Sequence, residues 1–150
     1  MTTRRRAREV VLQVLYEDDM NPTRNLAVAD QFVATRLLEH NALVAFAREL
    51  LTGIRKNRPQ LDKILTQHAA NWSVKRMSAI DRNVLRMATY EIVLGGVPGR
   101  VAINEAIDIA KRYGSRNSGQ FVNGIMDRVL KEQSKVEPIG DASESVPVAP

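Results

Sequence analysis

The sequence predicts an all-α domain of about seven helices. Apolar residues recur at spacings of three and four along most of the chain, which is the period of an amphipathic helix. No stretch alternates apolar and polar residues as a half-buried strand would. Glycine, proline and asparagine cluster where the helical period stops. At 150 residues and 44% hydrophobic content, the chain is long enough to form one domain with a continuous core.

Three helices are predicted in the N-terminal half. Their apolar stripes run over residues 7–15, 29–37 and 43–54. The Asn21-Pro22-Thr23 sequence predicts a turn between the first and second helices. The third helix ends before Asn57 and Pro59, because proline does not continue a helix.

Four helices are predicted in the C-terminal half. The fourth is short and has Pro59 near its start, where the missing N–H of proline does no harm. The fifth begins at Ser78-Ala79-Ile80-Asp81, which has the pattern of a capping box, and the glycine-rich stretch 94–99 ends it. The sixth ends at Gly114, a candidate C-terminal cap, and the stripe of the seventh covers residues 122–129.

Charge and composition divide the chain at residue 133. The net charge is +5. Residues 134–150 hold one lysine and three acidic residues, a net −2, which leaves +7 on residues 1–133. A basic body suits nucleic acid or another anionic surface. The last residues are rich in proline, serine and alanine without periodicity. We therefore predict a helical domain over 1–133 and a disordered tail over 134–150.

Several classes of protein are disfavoured by residue content. There is no cysteine, which excludes disulfides and thiolate metal sites. His40 and His68 stand alone, so we expect no metal, and no nucleophile–base arrangement or P-loop predicts an enzyme or a cofactor. Apolar runs are too short to span a membrane and no signal peptide is recognisable. We expect a cytoplasmic protein without a membrane partner.

An arginine cluster opens the first helix, and it consists of Arg4, Arg5, Arg6 and Arg8. The positive end of the helix macrodipole makes this an unfavourable place for cations. A partner outside the helix would explain the cluster, and the nucleic-acid backbone is the obvious one, because guanidinium groups bind phosphate through a planar fork of donors. The alternative is a solvated basic N-terminus without any partner.

Two stretches are more specific than helical periodicity requires. One is NWSVKRMSAIDRNVLR at residues 71–86, and the other covers 98–127 and contains the strings VAINEA and FVNG. With RRRARE at 4–9 and Leu15-Tyr16, they closely resemble the NusB family of bacterial transcription antitermination factors. The resemblance extends over about residues 4–131, in order and with the spacing typical of the family.

The resemblance implies two packed three-helix bundles with a short extra helix, and no catalysis. It also implies pairing with ribosomal protein S10 (NusE), binding to the boxA element of nascent ribosomal RNA, and action in the RNA polymerase antitermination complex on ribosomal RNA operons. The same fold occurs in certain ribosomal-RNA cytosine methyltransferases, but this chain has no room for their catalytic domain, so we expect a free-standing factor. Alternatives are a NusB-fold RNA-binding module in ribosomal RNA maturation and a self-associating scaffold, including a homodimer that covers the arginines.

Carried over by residue, the resemblance assigns an RNA surface of cations for phosphates and aromatic faces for unstacked bases. For Tyr113 the alternative is closure of the core, and for Phe121 stacking is favoured over packing. On the S10 side, a cap role is favoured over an interface role for Asp81. Asn117 occupies a loop position where the family often carries an acidic residue. The RNA-binding residues are Arg4, Arg5, Arg6, Arg8, Lys111, Tyr113, Gln120 and Phe121, and the S10-facing residues are Tyr16 and Asp81.

Four other distinctive residues are expected to serve the fold. Gly124 in mid-helix predicts a close helix–helix approach, because glycine is otherwise unfavourable there. Asn104 and Asn123 are expected to be buried hydrogen-bonding residues between the sixth and seventh helices. Trp72 is expected to fill the core.

Overall fold

The structure, a computed structural model, describes residues 3–141 of the chain, and the side chains of residues 3–134. This part of the chain is helical and contains no strand, which confirms the predicted fold class. Its elements are α1 (Arg4–Met20), α2 (Val28–Arg36), α3 (Asn41–Lys56), α4 (Arg58–His68), a 3-10 turn (Val74–Arg76), α5 (Ala79–Val93), α6 (Gly99–Tyr113) and α7 (Ser118–Asp141).

The helices form two groups of three. Helices α1, α2 and α3 pack against one another, and α5, α6 and α7 do the same. The short helix α4 lies against α5 and α7, while α1 and α3 contact α5, so both groups share one apolar core. This is the predicted pair of three-helix bundles with a short extra helix. Helix α5 is central to it, since it contacts α1, α3, α4, α6 and α7.

Helices α1 and α5 are joined by ion pairs at both ends. Near the start of α1, Arg8 is paired with Glu91 of α5. Near the end of α1, Asp19 is paired with Arg82 and Arg86 of α5. The two helices therefore run antiparallel, with polar contacts on either side of an apolar middle section.

A tight turn sets the direction of α7 relative to α6. Gly114 has an ordinary negative φ of −93°, so it is not a left-handed cap. A Cβ at Gly114 would instead collide with the hydroxyl of Ser118 and lie 2.7 Å from the Ala110 carbonyl oxygen. The Ser118 hydroxyl accepts a hydrogen bond of 2.9 Å from the Ser115 amide. Because Gly114 has no side chain, Ser118 can pack against it. This contact brings the start of α7 beside the end of α6.

Three expectations about α6 and α7 were wrong. Asn104 and Asn123 are exposed, because their neighbours Ile103 and Val122 take the buried positions and the next residue on a helix turns away by about 100°. Gly124 faces open space, with no atom within 4 Å of an added Cβ. Helix α7 extends to Asp141, and the disordered tail over 134–150 stays a prediction. The rest of that predicted tail, 142–150, lies outside the described residues.

Candidate nucleic-acid interface

The predicted arginine cluster lies in the first turns of α1, but its members point in different directions. The Thr3 hydroxyl accepts a hydrogen bond from the Arg6 amide and caps the helix. Because successive helical residues are rotated by about 100°, the side chains spread around the helix end. Arg4 is exposed, and its guanidinium carbon lies 4.6 Å from the centre of the Phe46 ring in α3.

The structure places Arg8 in the interior instead of on the predicted RNA surface. Its side chain is 6% exposed. The Nε and Nη2 atoms donate to the Glu91 carboxylate at 2.9 and 2.8 Å, and the guanidinium lies 5.2 Å from the centre of the Phe46 ring. A phosphate could reach Arg8 only after the ion pair with Glu91 had opened. Arg8 therefore has a structural role in the described fold.

Arg5 faces two carboxylates of α6. Its Nε and Nη2 atoms donate to Glu105 at 2.6 and 2.9 Å, and Nη2 also donates to Asp108 at 2.9 Å. The hydrogen bond from Arg5 lowers the pKa of Glu105 and outweighs the opposing effect of burial. The charge of Arg5 is therefore balanced within the protein, and an RNA phosphate has to compete with Glu105 and Asp108 for it.

Arg6, Tyr16 and Tyr113 line one cleft of about 270 Å³ between α1, α6 and the start of α5. The Arg6 guanidinium is 3.4 Å from the Glu9 carboxylate, which also lies 3.3 Å from Arg112. Burial, and next the Glu9 carboxylate, raise the pKa of Tyr113, so its phenol stays neutral and can donate a hydrogen bond. Predicted RNA-binding and S10-facing residues thus share a cleft. Its lining is Arg6, Glu9, Leu12, Gln13, Tyr16, Ile80 and Tyr113.

Tyr113 does not close the core, since 40% of it is exposed. The guanidinium of Arg112 lies 5.5 Å from the centre of its ring. An exposed ring beside a cation can take an unstacked base, whereas a ring inside the core could not. The exposure therefore favours the binding interpretation of Tyr113.

Lys111 and Gln120 are exposed where α6 meets α7. A side chain at Gly119 would lie 2.9 Å from the Cγ atom of Lys111. The lysine stem therefore crosses the start of α7 next to Gln120. Phe121, one residue further, is half-buried and packs partly against the core. A cation and an aromatic ring thus lie at the same end of the bundle.

Trp72 does not fill the core, as expected from the sequence, but is 50% exposed. Its ring meets that of Phe121 at a centroid distance of 5.8 Å and an angle of 76°, an edge-to-face pair. The buried positions of this segment belong to Ala69 and Val74 on either side. An isolated tryptophan in a polar segment carries no periodic signal, so the sequence offered no way to find this orientation.

Asp81 lies in the first turn of α5, where a cap role and an S10-facing role were both considered for it. Its amide donates a hydrogen bond of 3.1 Å to the Ser78 hydroxyl, so the Ser78 half of the predicted capping box is present. Its Oδ1 atom is buried and has no hydrogen-bond partner among the described residues. A buried acceptor without a donor is unfavourable, so this oxygen is left unsatisfied within the described part of the chain.

The acidic partners of the arginines were missed by the sequence analysis. They are Glu9, Glu91, Glu105 and Asp108. A signal existed for the last two, because acidic residues three apart lie on the same helix face. Nothing local marks Glu91 as the partner of Arg8, since the two are 83 positions apart.

The described surface belongs to a helical binding domain, with exposed cations, a cleft between two tyrosines and an aromatic pair of one exposed and one half-buried ring. Within residues 3–134, no three histidine, aspartate or glutamate side chains come together as a metal site would need. None of the described helices is both long and apolar enough to cross a bilayer.

The chain belongs to the NusB family, whose sequence profile matches residues 5–131. It is 42% identical over 141 residues to the transcription antitermination protein NusB of Desulfitobacterium hafniense, covering 93% of this chain and 95% of that protein. It is 40% identical over 140 residues to NusB of Myxococcus xanthus, covering 90% and 99%. The family consists of transcription antitermination proteins and is not a family of enzymes.

Solved structures agree with this assignment. The structure of NusB from T. maritima superimposes with a TM-score of 0.79 at 40% identity, covering 91% of this chain and 99% of that one. A NusB in complex with NusE and double-stranded RNA superimposes with a TM-score of 0.76 at 25% identity, covering 86% and 96%. The second structure shows that a protein with this fold binds both kinds of partner.

Proposed function

We propose that this protein binds the boxA element of nascent ribosomal RNA together with ribosomal protein S10 (NusE). In the cytoplasm, that assembly would join RNA polymerase and support transcription of ribosomal RNA operons through terminators. The observation that carries the proposal is the cleft where Arg6 and Tyr113 face Tyr16. It supports a composite site in which RNA and a protein partner meet.

The positions of the predicted RNA-binding residues support the RNA part of the proposal, and we call this set the RNA strip. Arg6 and Tyr113 are linked through Glu9 at the cleft. The RNA strip also includes Lys111 of α6, whose side chain lies beside Gly119 at the start of α7, and Phe121 two residues further along α7. Cations for the backbone and rings for bases, in alternation, suit single-stranded RNA. The net charge of +5 favours the approach of such a polyanion.

The S10 part of the proposal is supported at the other wall of the cleft. Ile80 lines the cleft, and its neighbour Asp81 holds the acceptor that lacks a donor within the described residues. Tyr16 is half-buried beside them. Because this oxygen is buried, a donor from S10 could reach it only after a local rearrangement, and would then remove the desolvation cost of the unpaired atom. The NusB–NusE–RNA complex of the related protein is the precedent for such an arrangement.

The test is RNA binding followed by fluorescence anisotropy, with labelled boxA-like RNA, a scrambled RNA of equal length, and S10 present or absent. We expect preference for the boxA-like RNA, tighter binding with S10, and a steep loss of affinity with salt, by about 0.7 log units per log unit of salt for each phosphate contact. Equal binding of both RNAs with S10 present would contradict the boxA assignment.

A matched pair of arginine variants localises the site. Arg6→Ala should weaken RNA binding and reduce the salt slope. Arg48→Ala on the exposed face of α3, where Arg48 pairs with Asp30 at 3.0 Å, should leave both unchanged. Sedimentation of the free protein over the same salt range tests the rival self-associating scaffold. Apolar self-association persists at high salt, while RNA binding is lost.

A further inference from the structure

Trp72 is held in an outward position by its local backbone. It lies between α4 and the 3-10 turn, where its amide donates a hydrogen bond of 3.0 Å to the carbonyl oxygen of Ala69. Ala70 has a φ of 51°, in the left-handed region that alanine rarely adopts. Ala69 and Val74 are buried on either side. The turn is therefore anchored at both ends while its indole remains 50% exposed.

The exposed indole is not isolated, because it meets Phe121 edge to face at 5.8 Å. Phe121 lies at the end of the proposed RNA strip. Arg128 stands seven residues further along α7, on the same helix face, and its Nε donates to the His68 carbonyl oxygen at 2.8 Å. Lys75 is exposed three residues after Trp72. Exposed cations thus occur near these rings in sequence, on the connection between α4 and α5 and on the same face of α7.

We propose that Trp72 is a second base-stacking residue, which extends the RNA path from α7 onto the connection between α4 and α5. The ligand is a single-stranded RNA segment with two unstacked bases, one for Phe121 and one for Trp72. The rings stand at 76° to each other, so they cannot hold one base between them as a parallel pair would. Two bases that point away from each other fit the two rings, an arrangement that occurs where a single-stranded RNA bends. This inference rests on the proposed function.

Trp72 is the only tryptophan in the sequence, so the intrinsic emission of the protein reports on this position. Labelled boxA-like RNA is titrated with full-length protein, in the presence and absence of S10, while RNA anisotropy and tryptophan emission are recorded together. We expect emission to be quenched with the same midpoint as the rise in anisotropy, since a base stacked on the indole quenches it. S10 alone should leave the emission unchanged.

Two substitutions separate stacking from packing. Trp72→Phe keeps an aromatic face and should retain most of the affinity. Trp72→Leu keeps apolar volume against Phe121 without a π face, and should lower the affinity by about 5- to 150-fold, the range for one stacked base. The salt slope should not change, because no charge is removed. Leu94→Ala, at a residue that is 44% exposed, serves as the control and should bind like the parent protein. Thermal unfolding of each variant corrects for the folded fraction.

The inference and the proposed function fail in different ways. RNA binding without quenching, or a Trp72→Leu variant that binds like the parent, overturns the role of Trp72 and leaves the proposed function intact. A change in emission with S10 alone overturns it too, because Trp72 would then belong to a protein interface. If the parent protein binds no RNA with or without S10, the proposed function itself fails, and this inference fails with it.

Discussion

Arg8 and Glu91 form a two-pronged ion pair in the interior, with Nε and Nη2 of the arginine donating to the carboxylate at 2.9 and 2.8 Å. Both side chains are nearly inaccessible, at 6% and 3% exposure. Two charges removed from water are stable only while they remain together. The pair therefore ties the start of α1 to the end of α5, and either residue alone would be a buried charge without its partner.

Removing one member of this pair should destabilise the fold strongly. Glu91→Leu is expected to lower the free energy of unfolding by about 3–5 kcal/mol, because Arg8 loses its bidentate partner. The remaining carboxylate near Arg8, that of Glu105, is 3.7 Å away and therefore beyond hydrogen-bond distance. The double variant Arg8→Met with Glu91→Leu should recover most of that loss, since no charge is then buried there. Urea denaturation measures both, and a double variant as unstable as the single one would contradict this account.

Releasing Arg5 from its acidic neighbours should strengthen RNA binding. Asp108→Asn removes a carboxylate 2.9 Å from Arg5, one of the two that compete with a phosphate for the guanidinium. Exposed ion pairs contribute up to about 1 kcal/mol, so we expect up to about fivefold tighter binding and a steeper salt slope. Asp127→Asn, whose partner Arg100 lies at 3.1 Å, removes the same charge elsewhere. Equal gains from both variants would indicate an effect of net charge alone.

The two mid-helix glycines should respond to alanine in opposite ways. At Gly124 an added Cβ meets nothing within 4 Å, so Gly124→Ala should stabilise the protein by about 0.5–1 kcal/mol through helix propensity. At Gly53 the added Cβ would collide with the Tyr90 ring. Gly53→Ala should therefore destabilise the protein by about 1–3 kcal/mol. Thermal unfolding of the two variants in one buffer checks both signs.

The free energy of unfolding should decrease at acidic pH because of Asp19. Burial opposes ionisation of this carboxylate, but hydrogen bonds from Arg82 and Asn83 and the charges of Arg86 and Arg58 outweigh it and lower its pKa. A pKa that is lower in the folded state stabilises the protein above the unfolded value of about 3.9, and this contribution is lost as the pH falls through the folded pKa.

Asp19→Asn should accordingly be less stable than the parent at neutral pH. The difference in the free energy of unfolding should shrink as the pH falls below about 4. Denaturation curves recorded at a series of pH values give this difference directly. A gap that stays constant down to the acid limit would show that Asp19 acts through packing instead of charge.

The spacing of apolar residues was sufficient to predict the helices and most of the core, because the residues that form each apolar stripe are also those that become buried. It could not assign partners to charged residues. The burial of Arg8 depends on Glu91, and the balance at Arg5 depends on Glu105, which is 100 positions away in the sequence. Trp72 was mispredicted for a related reason, since the turn that directs it outward depends on a left-handed Ala70. The predicted RNA and S10 residues await the measurements above.

The ion pairs at both ends of α1 and α5 have a consequence for recognition. Since α1 is fastened to α5 at Arg8 and again at Asp19, it has little freedom to tilt or slide. The backbone that bears Arg4, Arg5 and Arg6 is then preorganised before any ligand arrives. Little conformational entropy remains to be lost when a phosphate backbone binds, and affinity rises for that reason without a single added contact.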